Sequence, residues 1–421
     1  MTDILDELQW RGLVAQTTDE AALRSALAEG PITYYVGFDP TAQSLHVGHM
    51  VQLLNMRRLQ LAGHRPLALV GGATGLIGDP RPTTERSMNS REVVAGWVDR
   101  IRAQIEPFLS FDGENAAVMV NNLDWTAPLS AIDFLRDVGK HFRMGTMLSK
   151  DIVARRLASD EGLSFTEFSY QILQGMDYRE LFQRHGCTLQ MGGNDQWGNL
   201  LSGVELIRKT EQAAVHALAT TLITKADGSK MGKSEGGAVW LDPELTSPYA
   251  FYQYWLNTAD ADVVHYLKVF TFRTREEIEA LAVEVADRPF AREAQRALAG
   301  DLTTLIHGQA ATDGVIAASQ ALFGRGELGE LDAVTLRGAV SELPLVAVTV
   351  GSPVVDALVG SGLVASRGAA RRAIAEGGAY VNNVKVTSEE QTIRLGDLLH
   401  GRYAVLRRGK KTLAVAVSPV V

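Results

Sequence analysis

Between Ile32 and Thr224 the chain repeats one pattern: a short apolar run, then a glycine or polar cluster, then a stretch of helical period. The apolar runs read "PITYYVGF", "RPLALVGG", "AAVMVNN" and "CTLQMGG". Alternation of this kind builds a mostly parallel sheet covered by helices. It also restricts where a ligand can sit, because such sheets bind at the carboxyl ends of their strands. Those ends read "GFDPTA", "GGATGLIGDP", "NNLDW" and "GGNDQW", and all four are polar or glycine-rich.

A chain of 421 residues is too long for one typical core, and its pattern divides it further. The α/β part occupies residues 1–224, followed by a loop and linker over 225–245. Residues 246–325 read as helical, with "REEIEALAVEVADR" as the plainest piece. The acidic, glycine-containing "GRGELGELDAVTL", which begins at Gly324, leads into a second linker over 326–352. Residues 353–421 read as helix, helix, strand, strand. No run approaches the ~20 apolar residues that span a bilayer. The opening "MTDILDELQWRG" reads as a short acidic helix rather than a signal or transit peptide. Cys187 is the one cysteine, which excludes an internal disulfide framework, argues against structural zinc and fits a reducing cytoplasm.

Charge is unevenly spread. Ten Lys/Arg against five Asp/Glu give residues 353–421 a net +5, so a total of −8 leaves −13 on residues 1–352. A basic end on an acidic body fits a polyanionic partner held at that end; a merely solvated basic surface fits the same numbers.

Two short segments carry chemistry. In "SLHVGHMVQ", Ser44 is a candidate N-cap, and Val47, Met50, Val51 and Leu54 form an apolar stripe at helical spacing. His46 and His49 then share one face at the helix start, where free N–H groups favour an anion. Gly48 between them allows a flat ligand close to the backbone, and Thr41 supplies a hydroxyl just upstream. A metal site would need further ligands, and the HExxH form is absent. The second segment, "DGSKMGKSEGG", sets Lys230 and Lys233 in a glycine-rich loop. Most such loops are solvated turns, but this one can also fold over a triphosphate and meet charge developing on pyrophosphate.

Taken together, "HVGH" resembles the HIGH signature of the class I aminoacyl-tRNA synthetases, and "KMGKS" resembles their KMSKS signature, with Gly232 replacing the middle serine. "YYVGFDPTAQSLHVGH", "GGATGLIGDP", "FTEFSYQILQGMDY" and "GGNDQWGN" resemble the bacterial tyrosyl-tRNA synthetases in particular. The tail "SGLVASRGAARRAIAEGGAYVNNVKV" is similar to a small RNA-binding domain shared with a ribosomal protein. The resemblance covers essentially the whole chain. It implies a Rossmann-like α/β catalytic domain, a mobile KMSKS-type loop, a helical anticodon-recognition domain and a small α+β RNA-binding domain.

The resemblance also implies residue roles. Tyr170, Gln174 and Asp79 would hold the ammonium end of tyrosine, Asp177 and Tyr35 its phenol, and Gln196 a further part. Asp195 would hold the adenosine ribose, and Asp39 would lie near the tyrosyl-adenylate. Thr41 and His46 would contact the outer phosphates, His49 the ribose or ring region beside Gly48, and Lys230, Lys233 and Ser234 the leaving pyrophosphate. Tyr170, Gln174 and Asp177 fall at i, i+4 and i+7, one helix face, while Phe168, Ile172 and Met176 suit the buried side.

The implied reaction joins tyrosine to ATP, releases pyrophosphate, and passes tyrosine to the terminal adenosine of tRNA(Tyr). It needs ATP with Mg2+, no tightly bound cofactor and no editing domain. The implied enzyme is a homodimer without a membrane anchor, and "NNLDWTAPLSAIDFLRDVGKHFRMGTML" resembles the family's interface segment. One departure stands out. After "GDP" the chain reads "RPTTER", with Thr83 and Thr84 where the family often has lysines; Arg81 and Arg86 are the charges that remain. In the tail, Ser366 can cap a helix presenting Arg367, Arg371 and Arg372, and "VNNVKV" predicts a two-residue hairpin beside Lys385. Clustered basic side chains there suit a phosphate backbone.

Overall fold

The computed structural model describes residues 3–80, 84, 88–229, 231–234, 237–410 and 412–419, with 151, 233 and 234 described by backbone alone. Two compact units emerge. The first joins Met1–Asp242 to Val264–Glu279, and the second joins Pro243–Val263 to Ala280–Val421.

The first unit is built on a six-stranded sheet. Its strands are β1 (Gln16–Thr17), β2 (Thr33–Phe38), β3 (Arg65–Val70), β4 (Val118–Asn121), β5 (Cys187–Gly193) and β6 (His216–Thr220), in the order β1-β6-β5-β2-β3-β4. All neighbours run parallel except β1, which pairs antiparallel with β6. The chain moves outward from β2 through β3 to β4, then returns to the other side of β2 with β5. This reversal opens a crevice at the carboxyl ends of β2 and β5. Asp39 follows one of those ends and Asp195 the other.

Four of the strand runs lie where the sequence pattern put them. Tyr34, Tyr35, Val36, Leu67, Leu69, Leu189 and Met191 are buried, as a sheet covered on both faces requires. The helix Phe165–His185 lies against this sheet and against the helix Trp197–Thr210. Ser164 caps its start by accepting from the Glu167 N–H, and Gly186, at φ +63°, ends it with a left-handed turn. Its burial differs from the expectation of one polar and one buried face. Tyr170 and Asp177 are as buried as Phe168, Ile172 and Met176, because neighbours cover both sides.

Segment 264–279 is held to the first unit by two buried guanidinium groups. Arg11 donates to the carbonyls of Lys268 (2.7 Å) and Arg273 (2.8 Å), and Arg58 to those of Val269 (2.8 Å) and Thr271 (2.9 Å). Carbonyls at the end of the helix Asp260–Phe270 thereby gain cationic donors, which suits its dipole.

A short hairpin of β7 (Lys233–Ser234) and β8 (Gly237–Ala238) follows β6. The second unit contains the helices Pro248–Leu256, Glu293–His307, Gln309–Leu322 and Ala333–Val340 and a five-stranded sheet. That sheet orders β9 (Leu345–Ala347), β10 (Ala379–Val381), β11 (Val384–Lys385), β12 (Tyr403–Arg408) and β13 (Thr412–Val417) as β11-β10-β12-β13-β9. Residues 326–352 are folded rather than a free linker. Leu328, Leu331 and Leu336 are buried, and β9 pairs parallel with β13. The acidic and glycine-rich composition conceals leucines that become apolar anchors.

Strand alternation serves two cores here. Ala404, Leu406, Ala414 and Ala416 face the helices Val354–Gly360 and Arg367–Ala375. Val405, Leu413 and Val415 face the other way, onto Leu322, Leu331, Leu336 and Val340. The predicted hairpin joins β10 to β11. Its turn residues Asn382 and Asn383 both have positive φ, +47° and +65°.

Candidate active site

The HVGH segment enters through a turn that differs from the predicted one. Ser44 does not cap a helix: its hydroxyl donates to the Leu45 carbonyl (2.7 Å), while Gln104 Oε1 accepts from the Leu45 N–H (2.8 Å). His46 takes the capping role over a 3-10 turn, Val47–His49, and the α-helix proper runs Met50–Leu61. His46 Nδ1 accepts from the Gly48 N–H at 3.0 Å, and His49 Nδ1 accepts from the His46 N–H at 3.1 Å. An imidazole acceptor can serve the backbone as a serine hydroxyl would, a signal that residue preferences alone do not give.

These bonds set the chemistry of both rings. With Nδ1 accepting, each neutral ring carries its proton on Nε2 and presents that N–H as a donor. Burial depresses His49 to about 3, assisted by the neighbouring His46, and burial also lowers His46. The ring centroids are 4.0 Å apart. The pair is therefore a double hydrogen-bond donor at the helix entrance rather than a double cation.

The KMGKS segment lies against this entrance through its backbone. Val239 donates to the Gly232 carbonyl (3.1 Å), Val47 donates to the Val239 carbonyl (3.0 Å), and Leu241 donates to the Leu45 carbonyl (2.9 Å). Gly232 adopts φ +89°, and a Cβ there would lie 3.1 Å from Val47 Cγ2. This conformation and close approach explain glycine at the middle position. Lys230 lies outside the described residues, and for Lys233 and Ser234 only the backbone, paired in β7, is described. Arg81, Thr83 and Arg86 also lie outside the described residues.

A pocket of polar groups forms beside the crevice. Tyr170 donates to Asp39 Oδ2 (2.7 Å), and Thr74 donates to Asp39 Oδ1 (2.6 Å). Asp79 accepts from Gln196 Nε2 (2.9 Å) and Asn199 Nδ2 (3.1 Å). Asn199 also donates to Gln196 Oε1 at 2.9 Å. Thr41 is exposed at the end of β2, its N–H donating to the Asp39 carbonyl at 2.9 Å. Asp195 is exposed beyond β5, its carboxylate close over Gly193.

Deeper in, Asp177 is clamped by Trp125 Nε1 (2.8 Å) and Asn122 Nδ2 (3.0 Å). Burial pushes its carboxyl up to about 7, against these two donors, which lower it. The Tyr35 hydroxyl is buried without a hydrogen-bond partner, and so is Gln174 Oε1. Burial, then the nearby Asp177, raises the Tyr35 phenol well above its ordinary value. Buried polar atoms without partners are costly to leave so. A ligand with a hydroxyl at one end and an ammonium at the other would satisfy both.

Several of these residues escaped sequence reasoning. Asn122 and Trp125 lie in "NNLDW", a strand end already marked as ligand-facing, but neither residue stood out there. Thr74, Asn199 and Lys150 carried no local signal. The Lys150 ammonium donates to the Gly198 carbonyl (2.6 Å) and to Ser202 Oγ (2.7 Å). Burial lowers it to about 8, against the nearby Asp79.

In the second unit, Ser366 does cap the helix Arg367–Ala375, accepting from the Ala369 N–H. Arg367 is paired with Asp356 (2.7 Å) and Arg371 with Glu389 (3.3 Å). Arg372 is exposed on the same helix, and the Lys385 ammonium lies over Gly377.

A parallel sheet with its crevice beside β2, joined to an HVGH entrance that contacts a KMGKS loop, defines a class I aminoacyl-tRNA synthetase domain. Comparison with known proteins narrows the class. Residues 27–324 match the family described as tRNA synthetases class I (W and Y), and residues 336–416 match the tyrosine--tRNA ligase SYY-like C-terminal domain. The tyrosine--tRNA ligase of Streptomyces coelicolor is 67% identical over 415 residues, 98% of each chain. That of Streptomyces griseus is 65% identical over 422 residues, 100% of each. Among solved structures, a C-terminally truncated mitochondrial tyrosyl-tRNA synthetase from Aspergillus nidulans is similar at TM-score 0.69 and 30% identity, covering 77% of this chain and 95% of that one. Its counterpart from Coccidioides posadasii gives TM-score 0.66 and 33% identity, covering 75% of this chain and 91% of the other. The chain therefore belongs to the class I tRNA synthetases (W and Y), and within them to the tyrosine--tRNA ligases.

Proposed function

We propose that the chain activates L-tyrosine with ATP and transfers it to tRNA(Tyr). The observation that carries this reading is the pair of unsatisfied buried atoms, Tyr35 Oη and Gln174 Oε1, in a wall that also holds Asp177 and Tyr170. The tyrosine phenol bonds to Tyr35 and Asp177. Its ammonium meets Gln174, Tyr170 and Asp79, with Gln196 and Asn199 holding the Asp79 carboxylate in place. Phenylalanine would leave the phenol-binding groups unpaired, a rule for which tyrosine-specific synthetases are themselves a standard example.

The tyrosine carboxylate attacks the α-phosphate of ATP, and pyrophosphate leaves in line. Catalysis is positioning and charge stabilisation, with no covalent enzyme intermediate. Asp39 and Asp195 flank the adenylate. Gly48, whose missing Cβ makes room for the His46 ring, lies beside the ATP, and His49 donates toward the ribose region. His46 and Thr41 donate toward the outer phosphates, and the lysines Lys230 and Lys233, with Ser234, meet the pyrophosphate. Interactions that strengthen as charge moves outward raise the rate rather than ground-state affinity.

Among the described residues no group of three His, Cys, Asp or Glu side chains could hold a metal ion. Mg2+ would accompany ATP, held by the phosphates.

Transfer of tyrosine requires tRNA, which we assign to the second unit. Arg372 and Lys385 are the leading phosphate contacts, and Arg367 and Arg371 must exchange carboxylate partners to join them. A homodimer is supported by exposed apolar side chains in one segment: Ile132 (70%), Leu135 (55%) and Met144 (57%). Among the described residues no helix is long and apolar enough to cross a membrane. We place the enzyme in the cytoplasm, where its substrates are made.

Tyrosine-dependent exchange of labelled pyrophosphate into ATP tests the reading across all amino acids. Exchange with tyrosine alone is expected. Exchange driven by tryptophan, or by no amino acid, overturns it.

A further inference from the structure

One buried guanidinium joins three separate segments of the first unit. Arg156, on the helix Asp151–Leu157, is 1% exposed, and its ion-pair partner Glu167 is 2% exposed. Arg156 Nη2 donates to Glu167 Oε2 at 2.9 Å, and Nη1 lies 3.4 Å from Oε1, a two-pronged geometry. The same Nη1 donates to the Thr84 carbonyl at 3.0 Å, and Nε donates to the Gly162 carbonyl at 3.0 Å.

Each end of this junction leads to the candidate site. Glu167 is in the first turn of the helix Phe165–His185, three residues before Tyr170. Thr84 lies five residues beyond Asp79, which Gln196 and Asn199 hold. A buried ion pair contributes little net stability, because desolvation offsets most of the attraction. What it supplies is geometry. The guanidinium fork satisfies a carboxylate and two carbonyls at fixed angles, which a lysine ammonium cannot reproduce.

We propose that Arg156 is a positioning residue for tyrosine activation. Its fork holds the Thr84 carbonyl against the start of the helix that carries Tyr170, Gln174 and Asp177. Its charge is buried and neutralised by Glu167, so it acts through the Thr84 carbonyl rather than on ATP directly. The inference rests on the activation reading given above.

The test compares Arg156→Lys, Arg156→Met and Glu167→Gln with the unmodified full chain. Active-site titration with tyrosine and ATP counts functional sites, so losses from misfolding are divided out. Equilibrium dialysis gives the tyrosine dissociation constant, and rapid-quench assays give the adenylate-formation rate and its ATP dependence. Arg156→Met should lower the adenylate-formation rate about 10-fold per active site, the scale of one lost charge-assisted bond. Tyrosine affinity should stay within about twofold. Arg156→Lys, which keeps charge but loses the fork, should fall between. Should Arg156→Met fail to fold, Arg156→Lys and Glu167→Gln carry the same split. Wild-type rates per site, or parallel losses in tyrosine affinity and rate, overturn the inference. Absence of exchange in the unmodified protein would instead overturn the activation reading itself.

Discussion

The indole N–H of Trp125 points at Asp177 Oδ1 from 2.8 Å, and Asn122 holds the other carboxylate oxygen at 3.0 Å. The group proposed to read the substrate hydroxyl is thus itself aimed by two side chains from just beyond the end of β4. Replacing Trp125 by Phe keeps an aromatic ring but removes the donor. Losing a hydrogen bond to a charged group costs about 1.5–3 kcal/mol. The ratio of kcat/KM for tyrosine over phenylalanine should therefore fall by at least about 10-fold in pyrophosphate exchange. An unchanged ratio would mean that Asp177 holds its orientation without the indole.

Asp177 also predicts a pH dependence. Its folded value of about 7 lies above its ordinary value, because burial disfavours the carboxylate. The folded state therefore keeps a proton that the unfolded chain releases. The resulting stabilisation is full below about pH 4 and is lost as pH rises through about 7. Thermal unfolding between pH 5 and 8 should show wild type losing ground to Asp177→Asn. Parallel curves for the two proteins would count against a protonated Asp177.

His49 works in the opposite sense. Its folded value of about 3 lies below the ordinary histidine range, so the unfolded chain takes up a proton that the folded state refuses. Stability from this group falls as pH drops from about 6.5 toward 3. The His49 ring should remain neutral, with the proton on Nε2, throughout pH 5 to 8. Nitrogen-15 spectra of the imidazoles report this directly, and a His49 midpoint above pH 5 would contradict the bonding described.

Removing residues from Pro353 onward should spare adenylate formation, whose proposed groups lie in the first unit. The helices left behind should suffer. Val405, Leu413 and Val415 would no longer cover Leu322, Leu336 and Val340. Burial of such side chains is worth about 1.5–3 kcal/mol each. Rapid proteolysis within residues 309–340 and increased dye binding are the expected signs. A truncated chain with those helices fully protected would show that the core does not need the sheet.

Features with local causes were legible in the sequence. The four apolar strand runs, the Ser366 cap and the paired positive φ at Asn382 and Asn383 all follow from short-range chemistry. The residues proposed for the tyrosine pocket were named by the family resemblance; helix spacing by itself grouped only Tyr170, Gln174 and Asp177. Arg156 was not, since its partners stand at 84, 162 and 167 and no spacing rule connects them. Ser44 misled because serine is the commoner cap, whereas an imidazole fills that role here. The face assignment in the helix Phe165–His185 failed for another reason. A helix covered all round gives no amphipathic signal of which side meets the ligand.

The place of β13 has a consequence for synthesis. It lies between β12 and β9 and contributes to the core that the helices Gln309–Leu322 and Ala333–Val340 share. These helices leave the ribosome well before Thr412 is made. During that interval their apolar faces have no sheet to rest on, a period of exposure inherent in long-range pairing. The catalytic crevice is largely spared this wait, because β1 through β6 are complete once Thr220 has emerged. A nascent chain could thus assemble its tyrosine pocket while the surface assigned to tRNA is still waiting for its last strand.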